Sequence, residues 1–289
     1  MPKQHDADRR EFMLMSAAAL SVGAATVATG GVQEVIARDV EVTTPDGKCD
    51  ALFCHPATGT HPGILLWTDV FGLRPVYHDM ARRLAASGYS VLVPNPFYRL
   101  HRAPLFDDVA KFDWNDAAQR ERLSPLFAQV HTAGNIERDA PAHIAFLDAQ
   151  VEVDITRPIG TQGYCMGGPL VFKTCALAPK RVGAGATFHG GGLVTDQPDS
   201  PHLLVPRMRS RMYIAVAASD DDREPKAKDA LRQAFKASHR PAEVEVYAGC
   251  QHGWCMADMP VEAGKPIYDA PGAERAWQKL LALYREALA

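Results

Sequence analysis

The sequence predicts a doubly wound α/β fold: a mostly parallel sheet with helices on both faces, opened by an antiparallel hairpin. Three observations predict it. Short continuous apolar runs such as Gly63–Thr68 and Tyr89–Pro94 have the pattern of parallel strands covered on both faces. Those runs alternate with longer segments of helical period. The residues suited to chemistry, Asp69, Cys165, Asp221 and His252, each fall just after a strand, at the carboxyl ends where such sheets place their sites.

With 289 residues, 47% of them hydrophobic, the chain can bury a full core as one catalytic domain. A formal charge of -3 with no basic stripe argues against nucleic acid or an anionic membrane surface as partner, and for a small neutral or weakly charged substrate. The absence of internal repeats excludes solenoids and propellers.

At the N-terminus, Arg9-Arg10 precedes an alanine-rich apolar run from Phe12 to Val27. That run is short for a membrane span, which needs about 20 residues, and suits the core of a signal peptide. Residues 1–37 are therefore read as a twin-arginine-type export signal, with Asp8 where a serine or threonine is usual, and residues 38–289 as a periplasmic or secreted domain. The alternative is a cytoplasmic protein with a frayed N-terminal helix. Val40, Val42 and Thr44 then alternate, Pro45–Lys48 turns, and Ala51–Cys54 returns as the second strand of the hairpin. The strand Gly63–Thr68, a helix from about Val76 to Ser87 with Met80, Leu84 and Ala85 as its buried stripe, and the strand Tyr89–Pro94 make one right-handed crossover. Residues 95–135 mix aromatics, acids and arginines without a strand period; the stretch reads as a cap over the site, with a helix from Asp113 to Val130. Regular alternation resumes with helix 136–150, strand 159–164, a helix to about 177, strands 182–189 and 212–219, helix 225–238, strand 243–248 and helix 273–288.

Gly163-Tyr164-Cys165-Met166-Gly167-Gly168 reads as a nucleophile elbow, a sharp strand-to-helix turn whose glycines remove Cβ atoms that would collide. The N-terminus of the following helix favours a thiolate there. The alternative is a buried structural cysteine between glycines. A thiol nucleophile needs a base and a group to orient that base. Of the eleven histidines, His252 is best placed, directly after the last strand. The acid must come from Asp220-Asp221-Asp222, among which sequence physics does not choose, and the order nucleophile, acid, histidine is that of α/β-hydrolases. His189 also follows a strand but precedes the acidic loop. It is read as lining the pocket, the alternative being a histidine bonded to nearby backbone. Phe71, Tyr164 and Trp254 are read as further pocket wall, and Trp254 equally as a core residue. Cys49 and Cys54, an odd number of positions apart on one strand, face opposite ways and should not bridge. Cys250 and Cys255 flank His252 and could be bridged, or be read with it as metal ligands. No fourth ligand is visible nearby, so neither metal nor cofactor is expected.

Asp69-Val-Phe-Gly-Leu-Arg-Pro75, Asn95-Pro-Phe-Tyr-Arg99, Gly163-Tyr-Cys-Met-Gly-Gly168, Phe188-His-Gly-Gly191 and Tyr247-Ala-Gly-x-x-His-Gly253 together resemble the dienelactone hydrolase family, over essentially the whole chain from about residue 38. The resemblance implies an α/β-hydrolase with a Cys-Asp-His triad, placed on Cys165 and His252. The family's acid commonly stands four residues before a proline, so Pro225 selects Asp221. The resemblance also makes the backbone N–H groups of Val70 and Met166 the oxyanion hole, in line with the rule that one donor follows the nucleophile and another comes from the loop after an early strand. Two departures stand out. Asp69 occupies the place of a glutamate thought to hold the resting thiol away from histidine, and Met256 the place of a substrate-clamping arginine. Near Cys165, the charge of Asp69 would disfavour a second negative charge and so modulate the thiol; otherwise it is a turn residue. The expected activity is hydrolysis of small esters or lactones. The alternatives are a redox or ligand-binding protein using Cys165 without turnover, and an acyltransferase of the same fold.

Overall fold

A computed structural model describes residues 33–262 and 264–289. Residues 1–32, which carry most of the expected export signal including Arg9 and Arg10, lie outside the described residues. β1 (Val35–Thr44) and β2 (Gly47–Pro56) form the expected hairpin, with Val35 opposite Pro56 and Thr44 opposite Gly47. The strand starts three residues ahead of the boundary expected at residue 38, because residues 35–37 still find partners in Cys54–Pro56.

β3 (Gly63–Trp67), α1 (Pro75–Ala86) and β4 (Ser90–Pro94) follow as a crossover. The buried stripe of α1 is Tyr77, Ala81, Leu84 and Ala85, so Met80 falls at its margin. The cap segment holds a short 3₁₀ turn and α2 (Ala117–His131), which begins where the Asp116 carboxylate accepts from the N–H groups of Ala118 and Gln119. α3 (Asn135–Asp148), β5 (Ile159–Tyr164), α4 (Gly167–Leu177), β6 (Val182–Phe188) and β7 (Arg211–Ala217) come next. Then come α5 (Ala218–Arg223), α6 (Ala227–Ala237), β8 (Ala242–Tyr247), the small pair β9 (Val261–Glu262) and β10 (Lys265–Pro266), and α7 (Ala270–Ala287).

The eight-stranded sheet runs β1-β2-β4-β3-β5-β6-β7-β8. β2 pairs antiparallel with β1 and β4, and every pairing from β4 to β8 is parallel. Each face carries its own core. Leu65 and Trp67 point into one with Phe53 and Phe172, and Ile64 and Leu66 into the other with Val91 and Tyr284. A strand buried on both sides loses the polar half of the two-residue period, which is why β3 reads as one apolar run. The chain leaves β3 to one side for β4 and returns on its other side as β5. The loops after β3 and β5 therefore diverge and leave a crevice at their carboxyl ends. No helix among the described residues is long and apolar enough to cross a membrane.

Candidate active site

β5 ends at Tyr164 and α4 begins at Gly167, leaving Cys165 at φ 51°. The left-handed conformation costs a non-glycine residue about 1–3 kcal/mol and persists only where its surroundings enforce it. Here the Cys165 N–H donates to Phe188 O at 3.1 Å, and the Gly168 N–H to Cys165 O at 3.0 Å. A Cβ on Gly163 would collide with the Gly167 carbonyl, and one on Gly167 would lie 2.7 Å from Trp67 O and 2.8 Å from Thr68 O. Bare backbone is what lets β5, α4 and the end of β3 converge. Cys165 is half-buried, whereas the other five cysteines are buried, and all six are free thiols. Burial pushes the pKa of Cys54 up to about 11 and of Cys175 up to about 12, and raises Cys250 as well. The bridge considered for Cys250 and Cys255 is thus not formed, and Cys49 and Cys54 lie in opposite cores.

His252 lies in the loop after β8, its N–H donating to Ser219 Oγ at 2.9 Å. Its Nδ1 is 2.9 and 3.0 Å from the two carboxylate oxygens of Asp220. Burial alone would lower the pKa of His252, but the charge on Cys165 beside it and hydrogen bonds to Asp220 and Cys165 outweigh that and push it up to about 10. The expectation for Asp221 is corrected here: both of its oxygens are held by Lys228 Nζ, at 2.6 and 2.7 Å. The acidic run is helical rather than a loop, because β7 stops at Ala217 and α5 takes over. Successive helical residues point about 100° apart, so only one of adjacent aspartates faces His252.

Among the described residues, neither the Val70 nor the Met166 N–H has a hydrogen-bond partner in the protein, and both residues line cavities that reach Cys165. Asp69 faces the same space as Cys165, but its carboxylate is bound by Arg74, with Nη1 and Nη2 at 2.6 and 2.9 Å, and accepts from the Phe71 N–H. Arg74, 2% exposed, reaches on to Asp258 in the histidine loop. The bonds of Asp69 run to a buried guanidinium and a turn N–H rather than to sulfur, which departs from the thiol-modulating expectation. Asp69→Asn is expected to lower stability by about 3 kcal/mol by breaking a buried pair and to leave the rate of Cys165 alkylation by iodoacetamide unchanged. Faster labelling at unchanged stability would restore the thiol-modulating role.

Two cavities meet at Cys165. The smaller, about 40 Å³, is lined by Asp69, Val70, Phe71, Trp114, His189, His252, Gly253 and Met259. The larger is an open groove of about 350 Å³ on the Met166 side, with Phe127, His131 and Lys173 in its wall. Of the residues read as pocket wall, Phe71 and His189 line the smaller cavity, and Tyr164 and Trp254 line neither. Tyr164 precedes Cys165 on the strand and so points to the opposite face, stacked on Phe188 at 4.9 Å. Trp254, 0% exposed, stacks on Tyr247 in that same core, beside the equally buried Met256. Trp114 and Met259 were invisible to sequence reasoning, since each reaches the site from a segment without a period. Trp114 is brought there by an aromatic cluster in which Phe71 packs against Phe106, Phe112 and Trp114.

Comparison with known proteins places this geometry among relatives. The dienelactone hydrolase family matches residues 49–288. Carboxymethylenebutenolidase of Rhodococcus opacus is 28% identical over 233 residues, 80% of this chain and 83% of that protein. Among solved structures, a dienelactone hydrolase-like promiscuous phosphotriesterase from metagenomic libraries superposes with a TM-score of 0.69 at 22% identity, covering 88% of this chain and 99% of that one. Dienelactone hydrolase from Anabaena variabilis gives a TM-score of 0.59 at 14% identity, with 88% and 99% covered. At those identities the two structures speak for the fold.

Proposed function

Since the chain belongs to the dienelactone hydrolase family, we propose that it hydrolyses small esters or lactones through Cys165, His252 and Asp220. The observation that carries this reading is the placement of His252 between the Asp220 carboxylate and the one half-buried thiol, with its pKa pushed up to about 10 by both. A protonated His252 beside the sulfur favours Cys165 as nucleophile. Sulfur attacks the substrate carbonyl, and the oxyanion that forms is bound by the Val70 and Met166 N–H groups. As the C–O bond breaks, His252 gives its proton to the leaving oxygen, leaving a thioester on Cys165. Water then adds to the thioester, its proton passing to His252. The C–S bond breaks, its electron pair returns to sulfur, and the carboxylic acid departs. Asp220 fixes the ring and stabilises the imidazolium throughout.

The test is turnover of p-nitrophenyl acetate and of unsaturated lactones, with acid quenching and mass spectrometry of the Cys165 peptide. Acylation with turnover supports the reading. A stable adduct without turnover would favour a binding or redox role, and esters formed from added alcohols would favour acyl transfer. For residues 1–37, we propose export on the sequence alone. A fusion carrying residues 1–40 should reach the periplasm only while Arg9 and Arg10 are present, and delivery of an Arg9→Lys, Arg10→Lys variant would argue against the twin-arginine route.

A further inference from the structure

Arg74 is a buried arginine with no donor left to offer a substrate. It stands directly before α1, in the loop after β3, and is 2% exposed. A guanidinium carries five N–H donors, and here each has a partner. Nη1 and Nη2 donate to Asp69 Oδ1 and Oδ2 at 2.6 and 2.9 Å, and Nη1 also to Gly72 O at 3.2 Å. Nε and Nη2 donate to Asp258 Oδ2 and Oδ1 at 2.7 and 3.1 Å. A buried ion pair is weak evidence for stability, because apolar residues of similar volume often serve as well. What this network holds in place is the better guide to its use.

Two segments flanking Cys165 are held by it. One is the turn 69–72, where the Asp69 N–H donates to Tyr77 Oη at 2.7 Å, the Phe71 N–H to Asp69 Oδ1 at 2.9 Å and the Gly72 N–H to Asp69 O at 3.1 Å. Among the described residues, only the Val70 N–H of this turn lacks a partner. The other segment is the loop after β8 that carries both His252 and Asp258. The two face each other across the cavity of about 40 Å³, Asp69, Val70 and Phe71 on one side and His252, Gly253 and Met259 on the other. We propose that Arg74 is a positioning residue: it aims the Val70 N–H at the oxyanion by tying the turn 69–72 to the histidine loop through Asp258. The proposal rests on the reading of Cys165 as nucleophile with Val70 as oxyanion donor.

The Val70 N–H shares a planar, trans peptide unit with the Asp69 carbonyl, so fixing that oxygen fixes the direction of the N–H. The Gly72 N–H holds the oxygen, and Arg74 in turn holds the Gly72 carbonyl and the Asp69 carboxylate. A donor aimed in advance needs no reorganisation when charge develops on the carbonyl oxygen. His252 has its own anchors in Asp220 and Ser219, so the tie through Asp258 acts on the turn. Lysine cannot replace Arg74 here, since an ammonium has three donors and no planar fork. The oxyanion exists only beyond the ground state, so a misaimed Val70 N–H lowers kcat and leaves KM. Alkylation by iodoacetamide displaces iodide from a saturated carbon and forms no oxyanion. It therefore reports the thiol and His252 without Val70.

The test compares Arg74→Lys and Asp258→Ala with the parent, in turnover of p-nitrophenyl acetate and in alkylation of Cys165 followed by mass spectrometry of its peptide. Arg74→Lys should lower kcat about a hundredfold, the scale of a misplaced oxyanion donor, with KM within about threefold. Asp258→Ala leaves the Asp69–Arg74 pair intact and changes a side chain that is 31% exposed, so it should stay folded. Its kcat should fall about tenfold, a partial misplacement. The double variant should be no slower than Arg74→Lys alone, because both changes cut one tie. Alkylation should stay within about threefold of the parent throughout. Parental kcat in either folded variant overturns the proposal, and Asp258→Ala decides if Arg74→Lys does not fold. A parallel fall in alkylation, the mark of general loosening, or losses that multiply in the double variant also overturn it. Absence of acetyl-Cys165 from the acid-quenched parent would instead overturn the nucleophile reading.

Discussion

Cys165→Ala should turn over p-nitrophenyl acetate at least about 10⁴-fold more slowly than the parent, the scale seen when a nucleophile is removed and only the oxyanion site and binding remain. The fold should survive. Alanine keeps the Cβ that already tolerates φ 51°, and the turn is held by backbone bonds and by glycines that this change does not touch. A loss of about 1 kcal/mol, the ordinary cost of a point substitution, is expected in urea unfolding. The variant should also lack the acetyl adduct. Near-normal rates in a folded Cys165→Ala protein would remove the thiol from the mechanism.

Asp220→Asn should lower kcat by about 10³-fold or more, as loss of the carboxylate that fixes and charges a catalytic imidazole does, whereas Asp221→Asn should stay within about threefold, within the scatter of surface substitutions. Asp220 bonds His252 Nδ1 directly, while Asp221 is occupied by Lys228. Equal losses would mean that the charge of α5 matters, and not one orienting carboxylate. The pH profile supplies a second reading. His252 must be protonated to deliver a proton to the leaving group, so acylation should decline as pH rises through about 10. Asp220→Asn removes one of the groups that raise this pKa, and its alkaline limb should move to lower pH. Stability follows the same sign. A histidine raised from 6.5 to about 10 adds stability that is fully present below about pH 6.5 and lost as pH rises through about 10. Thermal unfolding across that range measures it.

Val70 and Met166 were named through a family resemblance, whereas the glycines around Cys165 and the position of His252 after β8 were legible, because each follows from a local pattern. Choosing among Asp220, Asp221 and Asp222 was not. A spacing rule counted back from Pro225 pointed to Asp221, but β7 ends at Ala217 and the acids lie on a helical turn, so rotation about the helix axis selects Asp220. Asp69 reads as a modifier of the thiol until Arg74, five residues on and 2% exposed, is seen to hold it.

The amino-acid sequence by itself determined the α/β class, the hairpin, the order of the eight sheet strands and of the longer helices, and the turn that carries Cys165, since hydrophobic period and glycine placement are local quantities. Only the tertiary structure decided what faces the sulfur. It sent Tyr164 and Trp254 into the opposite core and brought Trp114 and Met259 over from aperiodic segments. It also left His189 without a partner beside His252. Those outcomes depend on where side chains distant in the chain meet once both faces of the sheet are covered, and no local pattern encodes such a meeting.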